Sequence, residues 1–206
     1  MNEAEKIVIM GGSFNPPHNG HLEMARAISR ELSPDIFIFV PVGRPPHKAF
    51  PQKSVSDEDR INMTRLTFGE IDRAHVSDIE IKRHGEKSYT VDTVEQIKES
   101  FPNAKIHFAM GGDMLLTLEE WHRYEDLMRQ CSIIAMSREA GQLCELKTHS
   151  DYLIEKYGAD ISILKMEPIE VSSSQIRAEI ENRGDVSAFL PPEVLEYIER
   201  RGLYRC

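Results

Sequence analysis

The sequence predicts an α/β protein built on a doubly wound parallel sheet, and three observations carry that expectation. Short apolar runs rich in β-branched residues alternate with amphipathic segments from one end of the chain to the other. A glycine-rich turn sits where the first run gives way to the first helical stripe, the position at which such sheets bind ligands. The length of 206 residues suits one domain spanning 1–206, able to bury roughly 70–75% of its unfolded surface without a disulfide or metal staple.

The runs are Lys6 to Met10, Asp35 to Val40, Lys105 to Met110, Ser132 to Met136 and Ile161 to Leu164, each short and continuous, as strands covered on both faces should be. Between the first two, Leu22, Ala25, Ile28 and Leu32 fall on one helical stripe, and before the third, Val91, Val94 and Ile97 fall on another. Arg73 to Ile81 alternates less cleanly, with Val76, Ile79 and Ile81, and reads as a further, ambiguous strand. Residues 141–158 carry a weak helical pattern around Tyr152 and Leu153. The last helix is opened by Pro191-Pro192, faces the core with Val194, Leu195 and Ile198, and stops at Gly202 after Arg200 and Arg201.

Composition excludes several classes. With 40% apolar and 29% charged residues, no window reaches the ~18 apolar residues of a membrane span. The N-terminal Met1 to Lys6 has no basic leader, so a cytoplasmic protein is expected. Cys131, Cys144 and Cys206 show neither disulfide-framework nor metal spacing. A formal net charge of -9 has the wrong sign for neutralising a long phosphate backbone, so nucleic acid is not an expected partner. One small anion in a local pocket is compatible with it, and homo-oligomerisation is left open.

The stretch Gly11-Gly12-Ser13-Phe14-Asn15-Pro16-Pro17-His18-Asn19-Gly20-His21 outlines such a pocket. Glycines allow backbone N–H groups close approach, and a helix starting near Asn19 adds its positive end. His18 and His21, three apart across that start, can both turn toward one ligand and donate to phosphate oxygens. The bland alternative is a capped helix after a turn, which would need neither two histidines nor two prolines. Zinc would need a third ligand that the spacing does not supply.

A second cluster is Ser172-Ser173-Ser174-Gln175-Ile176-Arg177. Ser172 with Gln175 reads as a capping box, which leaves Ser173, Ser174 and Arg177 to bind a polyphosphate if this helix start meets the first.

These two stretches together resemble the nucleotidyltransferase superfamily, with its (T/H)-x-G-H loop and late serine-rich motif ending in arginine. Pro45-Pro46-His47-Lys48, Ser88-Tyr89-Thr90-Val91-Asp92-Thr93, Gly111-Gly112-Asp113 and Trp121-His122 narrow the resemblance to the bacterial nicotinate-nucleotide adenylyltransferases, over Lys6 to about Tyr204. The chain departs from the pattern at Asn15, where aspartate is commoner, and at His122, where tyrosine is frequent.

The resemblance implies a Rossmann-like nucleotidyltransferase fold and transfer of AMP from ATP to nicotinate mononucleotide, with pyrophosphate leaving. ATP would lie along Gly11, Gly12, Ser13, Phe14, Gly111 and Asp113. His18 and His21 would meet its phosphates, and Ser173, Ser174 and Arg177 would hold the leaving pair. Lys48 would add a cation shared by both substrates. Trp121 would stack on the pyridine, Thr90 and the His122 N–H would meet its carboxylate, and Asn15 would lie beside the mononucleotide. Mg2+ is expected to arrive on the ATP phosphates, with no protein ligand named. The competing expectations are a pantetheine-phosphate adenylyltransferase or cytidylyltransferase of the same superfamily, and an ATP-binding regulator without turnover. Asp113, Thr90 and Trp121 also have plain structural readings, as helix caps and as a packing residue.

Overall fold

A computed structural model describes residues 5–46, 55–83, 87–137, 141–166 and 171–205. Six strands form one parallel sheet: β1 (Lys6–Gly12), β2 (Ile36–Pro41), β3 (Ala74–Val76), β4 (Lys105–Gly111), β5 (Ser132–Ser137) and β6 (Ile161–Lys165). Their order is β3-β2-β1-β4-β5-β6, with Ile9 opposite both Ile38 and Phe108 in the register. The winding reverses between β1 and β4, so the crevice where ligands bind in such sheets opens at the carboxyl ends of those two strands.

The helices are α1 (Asn19–Leu32), α2 (Asp57–Phe68), α3 (Thr90–Ser100), α4 (Gly112–Leu116), α5 (Tyr124–Gln130), α6 (Gln142–Tyr157), α7 (Ser173–Glu181) and α8 (Pro192–Arg201). Alternate residues of the central strands face opposite layers. Ile7, Ile9, Ile38, Phe108 and Ile133 pack against Val91, Val94 and Ile97 of α3 and Leu146 and Leu153 of α6. Val8, Met10, Phe37, Phe39 and Ile134 pack against Leu22, Ala25 and Ile28 of α1 and Phe68 of α2, with Leu32 partly buried beside them. A third cluster joins Met63 of α2 to Ile176 of α7 and Val194 and Ile198 of α8.

The five expected strands are present with ends shifted by a residue or two. β6 is an edge strand, so its side chains are half-buried or exposed rather than covered on both faces. The ambiguous Arg73–Ile81 segment yields only the three-residue β3; Ile79 and Ile81 fall beyond it in turns. The weak pattern at 141–158 is the full helix α6, ended by Gly158 at φ 66°. α8 opens and stops where the two prolines and Gly202 place its ends.

The apolar pattern leaves some helices unmarked, the five-residue α4 among them. The buried face of α2 is Asp59, Arg60, Met63, Thr64, Thr67 and Phe68, mostly polar, so no apolar stripe marks it. Its N-cap is nonetheless local: Ser56 Oγ accepts the Asp59 N–H at 3.0 Å. α5 has only seven residues, too few for a period to emerge. Among the described residues no helix is long and apolar enough to cross a membrane.

Candidate active site

The loop after β1 turns sharply at Phe14, whose φ is 45°. The Phe14 ring is 1% exposed and folds back over Gly12, where a Cβ atom would come within 2.8 Å of it. Gly12 is therefore required by the loop's own packing. The same ring meets the His21 ring edge-on at 5.3 Å.

Three of the loop's carbonyls are held by side chains of α2 and α7. Arg60 donates from Nη1 to the Ser13 oxygen at 3.0 Å, Arg177 from Nη1 to the Asn15 oxygen at 2.7 Å, and Ser173 from Oγ to the Pro16 oxygen at 2.8 Å. Tyr204 donates its hydroxyl to Asn15 Oδ1 at 2.7 Å. With its carbonyls turned toward these donors, the loop keeps a fixed shape beside the crevice.

His18 is the N-cap of α1. Its N–H donates to His21 Nδ1 at 3.2 Å, and the two rings lie 3.8 Å apart. Since Nδ1 of His21 accepts, the neutral ring carries its hydrogen on Nε2, which makes that atom a donor. The rings are tilted by 34°, and the two histidines form a capping box at the start of α1, the capping role the sequence also allowed. His21 lines the cavity, while His18 is buried and absent from its described lining. The Asn19 N–H is donated to the Phe189 oxygen at 2.9 Å, so part of the α1 terminus is occupied within the fold.

The α7 terminus does meet the α1 loop, through Ser173 and Arg177. Arg177 also donates to Ser174 Oγ at 3.1 Å. The expected Ser172–Gln175 capping box forms only in half: Ser172 Oγ accepts the Gln175 N–H at 3.2 Å, but it then donates to Gln175 Oε1 at 2.9 Å. That bond draws the glutamine side chain to the hydroxyl instead of to the N-cap amide.

A cavity of about 340 Å³ opens at the carboxyl ends of β1 and β4. Gly11, Gly12, Ser13 and His21 form one side of its lining, and Thr90, Gly111, Trp121 and His122 another. Trp121 is partly buried, its ring edge-on to Phe108 at 6.2 Å, and His122 packs on Tyr89 with centroids 4.1 Å apart. Tyr89, not Thr90, is the N-cap of α3, and Gly111, not Asp113, is that of α4. Thr90 and Asp113 are therefore not accounted for as caps. Asp113 is exposed in the first turn of α4. Asn15 is 1% exposed, and Lys48 lies outside the described residues. Among the described residues no group of three or more His, Cys, Asp or Glu could hold a metal ion. A wider groove of about 1530 Å³ beside α1, α2 and the start of α8 contains no residue of the loop 11–18.

Three residues were not visible as site elements in the sequence. Arg60 is fully buried in α2, Tyr204 lies past the Gly202 stop, and Glu80 sits on the cavity wall with 8% exposure. Only Arg60 had a nearby signal, the Ser56-x-x-Asp59 helix start.

The cytidylyltransferase-like family model matches residues 9–179. A Carboxydothermus hydrogenoformans protein named probable nicotinate-nucleotide adenylyltransferase is 38% identical, over 97% of this chain and 98% of its own length. One from Clostridium tetani with the same name is 33% identical, over 98% and 100%. Among solved structures, Plasmodium falciparum nicotinic acid mononucleotide adenylyltransferase complexed with NaAD superposes with a TM-score of 0.79 at 21% identity, covering 97% of each chain, a likeness of fold.

Proposed function

The chain belongs to the cytidylyltransferase-like family and, within it, to the nicotinate-nucleotide adenylyltransferases, and on that premise we propose that it joins nicotinate mononucleotide to the AMP part of ATP, releasing pyrophosphate and forming deamido-NAD. The observation that carries the reading is the single cavity lined on one side by the glycine loop and His21 and on another by Thr90, Trp121 and His122. One crevice can then seat two substrates with their reacting atoms adjacent.

Such a transfer needs little covalent chemistry from the protein. A mononucleotide phosphate oxygen attacks the α-phosphorus of ATP, the bond to the β-phosphate oxygen breaks, and pyrophosphate leaves with its electron pair. His21, with Nε2 as donor, would stabilise charge growing on the α-phosphate. Arg177 and Ser174 would steady the departing phosphates, with Ser173, whose hydroxyl hydrogen goes to the Pro16 oxygen, holding the loop beside them. Arg177 holds the Asn15 carbonyl and Ser174 Oγ, so its other N–H groups are the ones that would meet a phosphate. Trp121 offers an aromatic face to the pyridine, and Thr90 with the His122 N–H offers donors to its carboxylate. Magnesium would arrive on the ATP phosphates and neutralise charge on the leaving pair. We place the reaction in the cytoplasm, where both nucleotides are at hand.

The test supplies magnesium ATP with nicotinate mononucleotide, nicotinamide mononucleotide or phosphopantetheine, follows pyrophosphate release, and identifies the product by mass. Nicotinate mononucleotide should be preferred, and His21→Ala should lose roughly 10²–10³-fold in turnover, the scale of removing one donor to a transition-state oxyanion. Reaction with phosphopantetheine instead would move the chain to another transferase of the superfamily. ATP binding without any product would make it a regulator.

A further inference from the structure

Glu80 is a carboxyl group on the cavity wall with 8% exposure, and the reaction described above gives it no task. Burial pushes its pKa above the ordinary carboxylate range, while hydrogen bonds from Thr93, Gly43 and Ser88 pull the other way. Its contacts join stretches of chain that are separate in sequence. Thr93 of α3, itself 1% exposed, donates its hydroxyl to Oε1 at 2.8 Å. Gly43, just past β2, directs its N–H at Oε2, 3.4 Å away.

Gly43 has no room for a side chain, because a Cβ atom there would lie 2.3 Å from the Glu80 carbonyl oxygen. The seam continues at the next residue: the Arg44 N–H donates to Ser88 Oγ at 3.0 Å, and the Ser88 N–H to the Arg44 oxygen at 2.8 Å. Arg83 completes it, donating from Nη1 to Thr93 Oγ1 at 3.2 Å and from Nη2 to Gln96 Oε1 at 2.9 Å. The threonine oxygen accepts from the guanidinium and passes its own hydrogen to Glu80, a directional chain ending in the carboxyl. Pro45 and Pro46 at one end of this seam, and Thr90 at the other, line the cavity.

We propose that Glu80 is a positioning residue for the mononucleotide pocket, fastening residues 42–46 to the first turn of α3 and so setting the separation of Pro45-Pro46 from Thr90. The inference rests on the reading of Thr90, Trp121 and His122 as the mononucleotide side. The phosphate loop is held by Arg60, Arg177, Ser173 and Tyr204, and it meets the 42–46 segment at the Val42 N–H, which donates to the Gly12 oxygen at 2.8 Å without involving Glu80. Loss of Glu80 therefore acts more strongly on the mononucleotide than on ATP.

Steady-state kinetics with each substrate varied in turn, on full-length wild type, Glu80→Ala, Glu80→Gln and Thr93→Val, test this alongside thermal melting. Thr93→Val is nearly isosteric and carries the test if Glu80→Ala does not fold. KM for nicotinate mononucleotide should rise about ten-fold or more in Glu80→Ala and Thr93→Val, the scale of one buried hydrogen bond. KM for ATP should stay within about two-fold. Glu80→Gln, which keeps an acceptor for Thr93, should fall between. An equal rise in both KM values, or an unchanged mononucleotide KM in a folded variant, overturns the inference. Wild type inactive with nicotinate mononucleotide overturns the functional reading and this inference with it. An active wild type with undiscriminating variants overturns the inference alone.

Discussion

Replacing Arg60 with methionine should damage both the stability of the fold and the use of ATP, by amounts the structure bounds. The side chain is fully buried, donates to the Ser13 oxygen at 3.0 Å, and pairs with Asp57 one turn away. Methionine keeps much of the stem volume but leaves the Ser13 carbonyl without its charged donor, a loss of about 1.5–3 kcal/mol. Two effects reduce it: a guanidinium no longer has to be desolvated, and Asp57, with its side chain 56% exposed, returns to water. A net cost of about 1–2 kcal/mol corresponds to roughly 2–8 °C in Tm for a domain of this size. The functional consequence follows from what the arginine holds. Ser13 belongs to the loop proposed to meet the phosphates, and freeing its carbonyl lets that peptide turn, so KM for ATP should rise or kcat fall by about ten-fold or more. Melting curves and initial rates with ATP and mononucleotide varied separately would measure both. A lower Tm with unchanged kcat and unchanged KM for ATP would show that Arg60 supports the fold without shaping the loop.

Tyr204→Phe removes one hydroxyl, the donor to Asn15 Oδ1 at 2.7 Å, and should cost about 1–2 kcal/mol, or a few degrees of Tm. An unchanged melting temperature would mean that the C-terminal tyrosine does not brace the loop. The pKa of His107 is lowered from 6.5, by burial first and then by Lys105, so folding favours its neutral ring. That contribution is fully present above the unfolded value and is lost as pH falls below it through the depressed folded value. His107→Phe should therefore flatten the fall in Tm between about pH 7 and pH 5, and equal slopes in wild type and variant would refute the assignment.

The fold was largely legible because its central strands are buried on both faces, and burial leaves continuous apolar runs in the sequence. Lys6 to Met10 and Ser132 to Met136 could be read as strands with no tertiary information. The same logic explains what was missed. α2 turns Asp59, Arg60, Thr64 and Thr67 inward; Arg60 bonds Ser13 and Asp59 bonds Tyr197 and Arg201, while the threonines donate back to the Arg60 and Met63 carbonyls, and a polar buried face has no signature in an apolar period. For the site, the glycine loop, His21 and the Ser173–Arg177 cluster were visible as local patterns. That His18 would lie buried under His21, and that Arg177 would hold a loop carbonyl, could not be read from spacing.

The sequence by itself determined the strand and helix stripes, the loop at the end of the first strand and the family resemblance, because each is written within a few consecutive residues. Only the tertiary structure decided which groups Arg60, Tyr204 and Glu80 would meet. Their hydrogen bonds to Ser13, Asn15 and Thr93 span 47, 189 and 13 positions. Which buried polar group meets which is set by how the layers pack on the sheet, and no local period of the chain records it.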